Sequence, residues 1–464
     1  MLRTLLVFAI LVPGIAKGIR DRFMALLLYF WWAFFRPQDW VWIDITVLQP
    51  SLLLGMLLIV PSIFSGVYPN LTHPLSIGSC LFLLSGLIAQ FSAVNQAMGW
   101  EWIDFYTRLI IVCLLAVTLT TTPRRFIAVL AVVSGSFGFH AAKAGLASLL
   151  GGGLRFFDGL SGAFVDNNGY ACGTAMMIPL LVAVGDNIEL IVPPEYPRAL
   201  KWIRRGFRAS VPLCMFTVVS TYSRGGFLAL AASIMVYVAL HRSRVRFALS
   251  LAAAITILLT FVPIPEGYVD RLETIQTYEE VGEESAISRT HFWQVALAMA
   301  DDKPFGVGLR NYEFAYDKYD FSEGKYGHGR AVHSSHFQVL AELGYFGVLI
   351  WFTQFGIAFF VALQVRRRSW TPGLPPESAR FLITTSNCII SSMTAFLVGG
   401  SFLGLALNDV TWLTFSLLAA LDMMSVRMCD EVRPAFGPIA LPIPVTVPGN
   451  YRTLPSGALR REPV

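Results

Sequence analysis

The sequence predicts an all-α polytopic membrane protein on three observations: charge is scarce, apolar residues gather into runs of spanning length, and most basic residues sit in the short segments between those runs. Of its 464 residues, 55% are hydrophobic and only 14% charged, and the mean hydropathy is +0.60. A soluble domain carries roughly a quarter of its residues as Asp, Glu, Lys and Arg to cover its surface. Lipid is therefore the solvent of most of this chain.

A bilayer core is crossed by about 17–25 predominantly apolar residues in a helix, with shorter runs allowed when tilted or paired. Such runs fall near 3–17, 22–36, 50–66, 74–94, 102–120, 126–149, 168–185, 209–223, 225–240, 247–264, 336–364, 379–403 and 409–426. They give 12–13 spans, depending on how the two short first runs are counted. Met1-Leu2-Arg3 before an apolar run to Ala16 has the look of a secretory signal, and Gly14-Ile15-Ala16 of a small-residue cleavage site. The following Lys17 to Arg22 leads straight into another apolar stretch, which is how a loop between spans reads.

Orientation comes from four basic clusters: Arg124 and Arg125; Arg198, Lys201, Arg204, Arg205 and Arg208; Arg242, Arg244 and Arg246; and Arg366, Arg367 and Arg368. All four can share the cytoplasm. Counting spans between them then puts 151–167 and the long polar stretch 265–335 together on the opposite face, with the basic C-terminal tail in the cytoplasm. The net charge of +5 is thereby read as membrane orientation rather than as a nucleic-acid footprint. The chain divides into 1–264 with the first ten spans, a large loop at 265–335, C-terminal spans over 336–426 and a tail over 427–464, Pro-rich at 434–448 and expected to be disordered. The six cysteines are scattered singly, five of them inside apolar runs, and read as small buried side chains rather than as a disulfide framework or zinc site.

The 265–335 stretch is the only long hydrophilic segment between spans, and long loops in compact proteins are usually functional. Apolar residues at helical spacing over Ser288 to Met299 predict a short amphipathic helix lying on the membrane surface.

Four features can carry chemistry. Arg224, in Ser220-Thr-Tyr-Ser-Arg-Gly-Gly226, sits at the joint of two apolar runs, on the face opposite the basic clusters. Its guanidinium fork matches phosphate oxygens, and the alternative is an arginine that snorkels to the interface. Arg289, at the start of the amphipathic segment, and Arg310 can each clamp an anion, or Arg289 can pair with Glu283 or Glu284 in solvent. Lys143 lies inside an apolar run, where a cation is costly without water, a counter-charge or a ligand. Arg155 precedes Asp166-Asn-Asn168, a run that also serves as a helix N-cap. His333-Ser-Ser-His336 closes the long loop. At i and i+3 the two imidazoles are expected on one helix face, and a base, a metal site with His328, or a structural role are all open.

Histidine suits a general base because its ordinary pKa of about 6.5 lets it take a hydroxyl proton near neutral pH. Arginines suit a diphosphate leaving group, which needs electrostatic stabilisation rather than protonation. Walker A, dinucleotide-fingerprint, HExxH and GxSxG patterns are absent from the sequence, which disfavours ATP-driven export, dehydrogenation and the common hydrolytic sites.

These residues resemble the O-antigen ligase and polymerase superfamily over about 75–425. The resemblance rests on His333-Ser334, then nine residues, Gly344, two residues and Gly347; on Ser223-Arg224-Gly225; on Arg289 to Trp293 with Pro304, Gly306 and Gly308; and on Asp166-Asn-Asn168, in the family's order. It implies a helical membrane glycosyltransferase of the C type in the bacterial inner membrane, with its site facing the periplasm and the large loop containing short helices. The implied reaction is inverting transfer of a glycan from undecaprenyl diphosphate to a lipid A-core hydroxyl, with no metal, nucleotide sugar or other cofactor. It implies His333 as the base and Arg224 and Arg289 as the catalytic grip on the diphosphate, and on this expectation Arg155, Arg310, Lys143 and His336 join the diphosphate-binding set. The 143–168 segment also resembles the exosortase-associated branch, so a polymerase or a protein O-glycosylation ligase is an alternative, with growing glycan or protein as acceptor. A lipid-linked polysaccharide transporter is the alternative of another class, although the internal symmetry usual in transporters is not evident. The expected partners are thus the lipid-linked donor, the acceptor and the bilayer, with no nucleic acid.

Overall fold

The computed structural model of the chain describes residues 2–42, 44–151, 159–160, 162–241, 243–246, 248–249, 252 and 284–432. Most of the expected span at 247–264, the first part of the long loop, Arg155 and the tail beyond 432 lie outside them. Among the described residues there are fourteen α-helices and no strand: α1 (Leu2–Gly18), α2 (Arg22–Phe35), α3 (Pro50–Phe64), α4 (Pro74–Ala89), α5 (Gln96–Leu119), α6 (Pro123–Leu150), α7 (Asn167–Asp186), α8 (Pro197–Ser220), α9 (Arg224–Leu240), α10 (Glu284–Asp302), α11 (Tyr312–Tyr319), α12 (Ser335–Arg368), α13 (Pro376–Gly399) and α14 (Asp409–Val432).

Local chemistry sets where these helices begin. Asn95, Thr122, Asp166, Ser223 and Ser334 stand immediately before α5, α6, α7, α9 and α12, and each side-chain oxygen accepts from a backbone N–H of the first turn. Pro50, Pro74, Pro123, Pro197 and Pro376 occupy first positions, where a missing N–H costs nothing. Along the buried helices, hydroxyls bond back to their own turn, as in Ser134 to Leu130 O at 2.6 Å and Thr174 to Tyr170 O at 2.7 Å, so few polar groups meet hydrocarbon.

Seven helices are long and apolar enough to cross a membrane, namely α4, α5, α6, α7, α12, α13 and α14, and α2, α3 and α9 are shorter apolar helices. Every expected span except 247–264 falls on a helix. The expected 12–13 therefore becomes seven long spans among the described residues, for a physical reason. Helices α1, α2, α3 and α9 have 14–17 residues, and the first half of α8 carries Arg198, Lys201, Arg204, Arg205 and Arg208, leaving only its second half apolar. The last helix continues past the expected 426 to Val432.

The core has two centres. α7 is buried almost end to end and packs on α6, α8, α9 and α13. Beside it, Phe82, Tyr106, Trp351, Phe355, Phe396, Trp412 and Phe415 join α4, α5, α12, α13 and α14 in one aromatic cluster, with Phe82 to Trp412 at 4.7 Å and Phe355 to Phe415 at 5.0 Å between ring centroids. The cysteines are all free and all but the half-buried Cys80 are buried, as their scatter led one to expect.

Helices α7, α8 and α9, and likewise α12, α13 and α14, alternate in direction, so the bundle has two chemically different ends. At one end Arg204 pairs with Glu189 at 2.5 Å, Arg380 pairs with the same carboxylate, Arg366 donates to Leu240 O at 2.9 Å, and Arg368 pairs with Asp422. Members of two of the basic clusters, Arg204 and Arg208 and then Arg366 and Arg368, make contacts here. At the other end lie the starts of α7, α9, α12 and α14, and over them sits the second part of the long loop.

That loop segment has its own small core. Phe292, Val295, Ala296 and Met299 of α10 pack with Val307, Tyr312, Ala315, Tyr316, Val332 and Ala341, and His291 Nε2–H donates to the Asp320 carboxylate at 2.7 Å, both side chains buried. Helix α10 is thus the helix expected over 288–299, but its apolar face is turned onto protein rather than onto a membrane surface.

The joint between loop and bundle is Gly344. Inside α12 this residue leaves helical geometry with φ 67 and ψ −166. Instead of continuing the helix ladder, Tyr345 N–H donates to Pro304 O at 3.0 Å, while Ala341 O and Glu342 O accept from Val307 and Gly308 at 2.9 and 3.0 Å. Gly306, with φ +90, makes the matching close approach, since a Cβ there would stand 2.2 Å from Glu342 O. The Pro304, Gly306 and Gly308 spacing and the Gly344 position are two halves of one backbone contact.

A Cβ at Gly344 would lie 1.9 Å from Pro304 O in a backbone region open essentially to glycine alone. Gly344→Ala is expected to cost more than ~3 kcal/mol, strain and clash adding. Gly356→Ala, in the same helix where an added Cβ meets nothing within 4 Å, is expected to leave stability unchanged or slightly raised. Thermal unfolding of the purified variants checks this, and equal Tm values for the two would remove the joint from the fold's support.

Candidate functional site

A cavity of about 430 Å³ opens between the loop and the bundle end. Five parts of the chain line it: Met98 of α5; Asp166 and Asn168 at the start of α7; Arg310, Tyr312, Glu313 and Phe314; Ala331 to His333 with Gln338 and Glu342; and Leu403 to Leu405. Each is delivered by a feature already described. Asp166 Oδ1 caps α7 by accepting from Asn168 N and Gly169 N, both at 2.9 Å. Gln338 and Glu342 sit on the short helical segment before the Gly344 interruption, and the 304–308 backbone clamps that segment from behind.

His333 does not belong to α12. Ser334 is the N-cap, and His333 precedes it with φ 49, a left-handed turn that lets the imidazole line the cavity. The expectation that His333 and His336 share a helix face is therefore corrected. Burial is the largest influence on the His333 imidazole and lowers its pKa below the ordinary 6.5. Arg289 and Arg330 lower it further, and Asp166 opposes them. At neutral pH the ring is neutral and able to accept a proton. Phe292 lies against it with ring centroids 6.1 Å apart, and Arg330 stands 5.7 Å over the Phe292 ring.

His336 does different work. Trp351 Nε1–H donates to its Nδ1 at 3.0 Å, so the ring proton is on Nε2, which donates to Leu397 O at 3.1 Å. One nitrogen is held within α12 and the other ties α12 to α13, and the residue does not line the cavity. Lys143 is exposed and lies 5.2 Å over the Trp40 ring, outside the cavity lining. The aromatic face supplies a partner of the kind that a cation in an apolar run needs.

Arg289, half-buried on α10, is brought close enough to His333 to act on it electrostatically. Arg224 is the first residue of α9, behind the Ser223 cap and the left-handed Tyr222. It does not line the cavity. It does stand at the same end of the bundle, because Asn167 Nδ2 donates to Thr221 O at 2.9 Å and so ties the α8–α9 turn to the start of α7. Arg310 lines the cavity, with its guanidinium 4.9 Å over Trp102 and acting on Glu342. Among the described residues no group of three or more His, Cys, Asp or Glu is arranged to hold a metal ion.

Sequence reasoning missed Gln338, Glu342, Phe314 and Arg330. Glu342 had a signal: it is the only charged residue between His336 and Arg366 in an otherwise apolar helix, and such a residue is a functional candidate by default. Arg330 had none, since nothing in its loop sequence points to His333.

In comparisons with known proteins, residues 209–352 match the family model described as O-antigen ligase. The matched segment runs from the apolar half of α8 to just past the Gly344 joint and contains Arg224, Arg289 and His333. No curated protein matches the chain.

The charges around His333 make opposite predictions for two variants. Arg330→Gln removes a cation that holds the imidazole down, so the His333 pKa is expected to rise toward the ordinary value. Asp166→Asn keeps a helix-capping oxygen but removes an anion that holds it up, so the pKa is expected to fall further. NMR titration of the imidazole in detergent-solubilised protein measures both, and shifts of the same sign would contradict the geometry.

Proposed function

We propose that this chain, a member of the O-antigen ligase superfamily and a multi-pass membrane protein, transfers a glycan from undecaprenyl diphosphate to a hydroxyl of lipid A-core at the periplasmic face of the inner membrane. The observation that carries this reading is His333: a neutral imidazole turned into the cavity, with Arg289 beside it. In the proposed reaction the acceptor hydroxyl oxygen forms a bond to the anomeric carbon of the donor sugar while the bond to the diphosphate oxygen breaks. The hydroxyl proton passes to His333, and the diphosphate departs with the electron pair. Attack from the face opposite the leaving group inverts the anomeric centre.

The electrostatics suit these roles. Burial, helped by Arg289 and Arg330, keeps the base unprotonated before attack, and the positive potential of those arginines favours a diphosphate whose charge grows as the bond breaks. Arg289 acts on His333 electrostatically, and Arg224 stands at the same end of the bundle, at the start of α9. A guanidinium holds two phosphate oxygens at fixed geometry, which an ammonium does not. The basic end of the bundle, opposite the cavity, supports a periplasmic site under the positive-inside rule.

In proteoliposomes supplied with lipid-linked glycan and lipid A-core, His333→Ala is expected to abolish transfer while donor binding and thermal unfolding stay normal. Arg224→Lys and Arg289→Lys are each expected to reduce transfer by roughly ten-fold or more. Transfer is expected to persist in EDTA. Near-normal turnover by His333→Ala removes it from the mechanism. A product elongated on free glycan instead of on lipid A-core would convert the reading to a polymerase.

A further inference from the structure

The cavity has a second face that the transfer chemistry does not use. Gln338 and Glu342 are only 3% and 4% exposed, yet both line the cavity. Their orientation is fixed: Gln338 Oε1 accepts from Ala406 N at 3.3 Å, and its Nε2 donates to both Glu342 carboxylate oxygens at 3.3 Å. The backbone N–H of Arg310 also donates to Glu342, and the Arg310 guanidinium attracts it. Among the described residues, no ion pair closes on this carboxylate. A carboxylate has about four acceptor positions, and two long bonds and one backbone donor leave capacity directed at the cavity. A buried carboxylate of this kind is costly unless a ligand or water completes its hydrogen bonds.

Such a face is matched by a neutral molecule rich in hydroxyl donors. Next to Glu342 and Glu313 an anion is disfavoured. Phe314, also lining it and 48% exposed, offers a flat apolar surface for the C–H face of a pyranose ring. Resting on the functional reading above, we propose that Gln338, Glu342 and Phe314 form a subsite for the sugar attached directly to the lipid diphosphate. In it Glu342 accepts a hydroxyl hydrogen and Phe314 stacks on the ring. The first donor sugar is the one addressed because this face and His333 share one cavity of about 430 Å³, and only that sugar lies within a bond of the diphosphate.

The test compares two probes on the full purified chain in nanodiscs: a prenyl diphosphate carrying a single N-acetylglucosamine, and the bare prenyl diphosphate. Binding is followed by tryptophan fluorescence. Wild-type protein is expected to bind the glycosylated probe roughly ten-fold more tightly, the scale of one charge-assisted hydrogen bond plus a ring contact. Glu342→Gln and Phe314→Ala are each expected to lose most of that preference. Phe314 is at the surface, so its truncation keeps the test alive if Glu342→Gln does not fold. Equal wild-type affinity for the two probes overturns the subsite and leaves the diphosphate reading standing. A preference retained in both variants overturns the assignment to these residues. Failure to bind either probe overturns the subsite and the functional reading together.

Discussion

One backbone contact organises the functional end of this molecule. Where α12 breaks at Gly344, the Pro304 to Gly308 segment lies against it so closely that neither side tolerates a Cβ, and three hydrogen bonds cross the joint. An interrupted helix within a membrane bundle normally leaves backbone groups without partners, and the loop supplies them. The contact holds α10 against the bundle, turns the segment bearing Gln338 and Glu342 toward the cavity, and leaves His333 just ahead of the Ser334 cap. Gly344 and the Pro304, Gly306 and Gly308 spacing belong together for this reason, although some forty residues of chain separate them.

Electrostatics then divide the cavity. His333 faces Arg289 and Arg330 on one side, while Glu342, Gln338 and Glu313 border the other. Burial first, and then the positive potential, keep the imidazole unprotonated; that potential suits a leaving diphosphate, and the acceptor-rich face suits hydroxyl groups. A single pocket with both characters fits a substrate that joins a charged headgroup to a sugar. The Arg224 turn reaches the same end of the bundle through the Asn167 to Thr221 bond, so the two arginines meet it from opposite parts of the chain.

The two histidines show how little spacing says about role. His333 and His336 are three residues apart, which on one helix would align them, yet the cap at Ser334 separates a left-handed residue from a helical one. The first faces the cavity. The second is bonded to Trp351 and Leu397 and lies outside the cavity lining. Lys143 makes the same point, since its partner is the face of Trp40, brought from a distant turn.

The amino-acid sequence by itself determined what depends on composition and near neighbours. Hydropathy and the shortage of charge set the membrane class. Helix starts were legible from Asn95, Thr122, Asp166, Ser223 and Ser334 with the prolines at first positions, because a cap acts within one turn. Two of the basic clusters marked one end of the bundle, because their signal is local charge. His333, Arg289 and Arg224 were legible as candidates through residue type and motif order. Only the tertiary structure decided which of the candidates share a pocket. It turned α10 onto protein, left His336 and Lys143 outside the cavity lining, brought Gln338, Glu342 and Phe314 into it, and set Arg330 near enough to act on His333. Those outcomes depend on contacts such as Gly306 with Glu342, Asp166 with His333 and Trp351 with His336, whose partners are distant in the chain or reached only through folding, and packing alone selects among them.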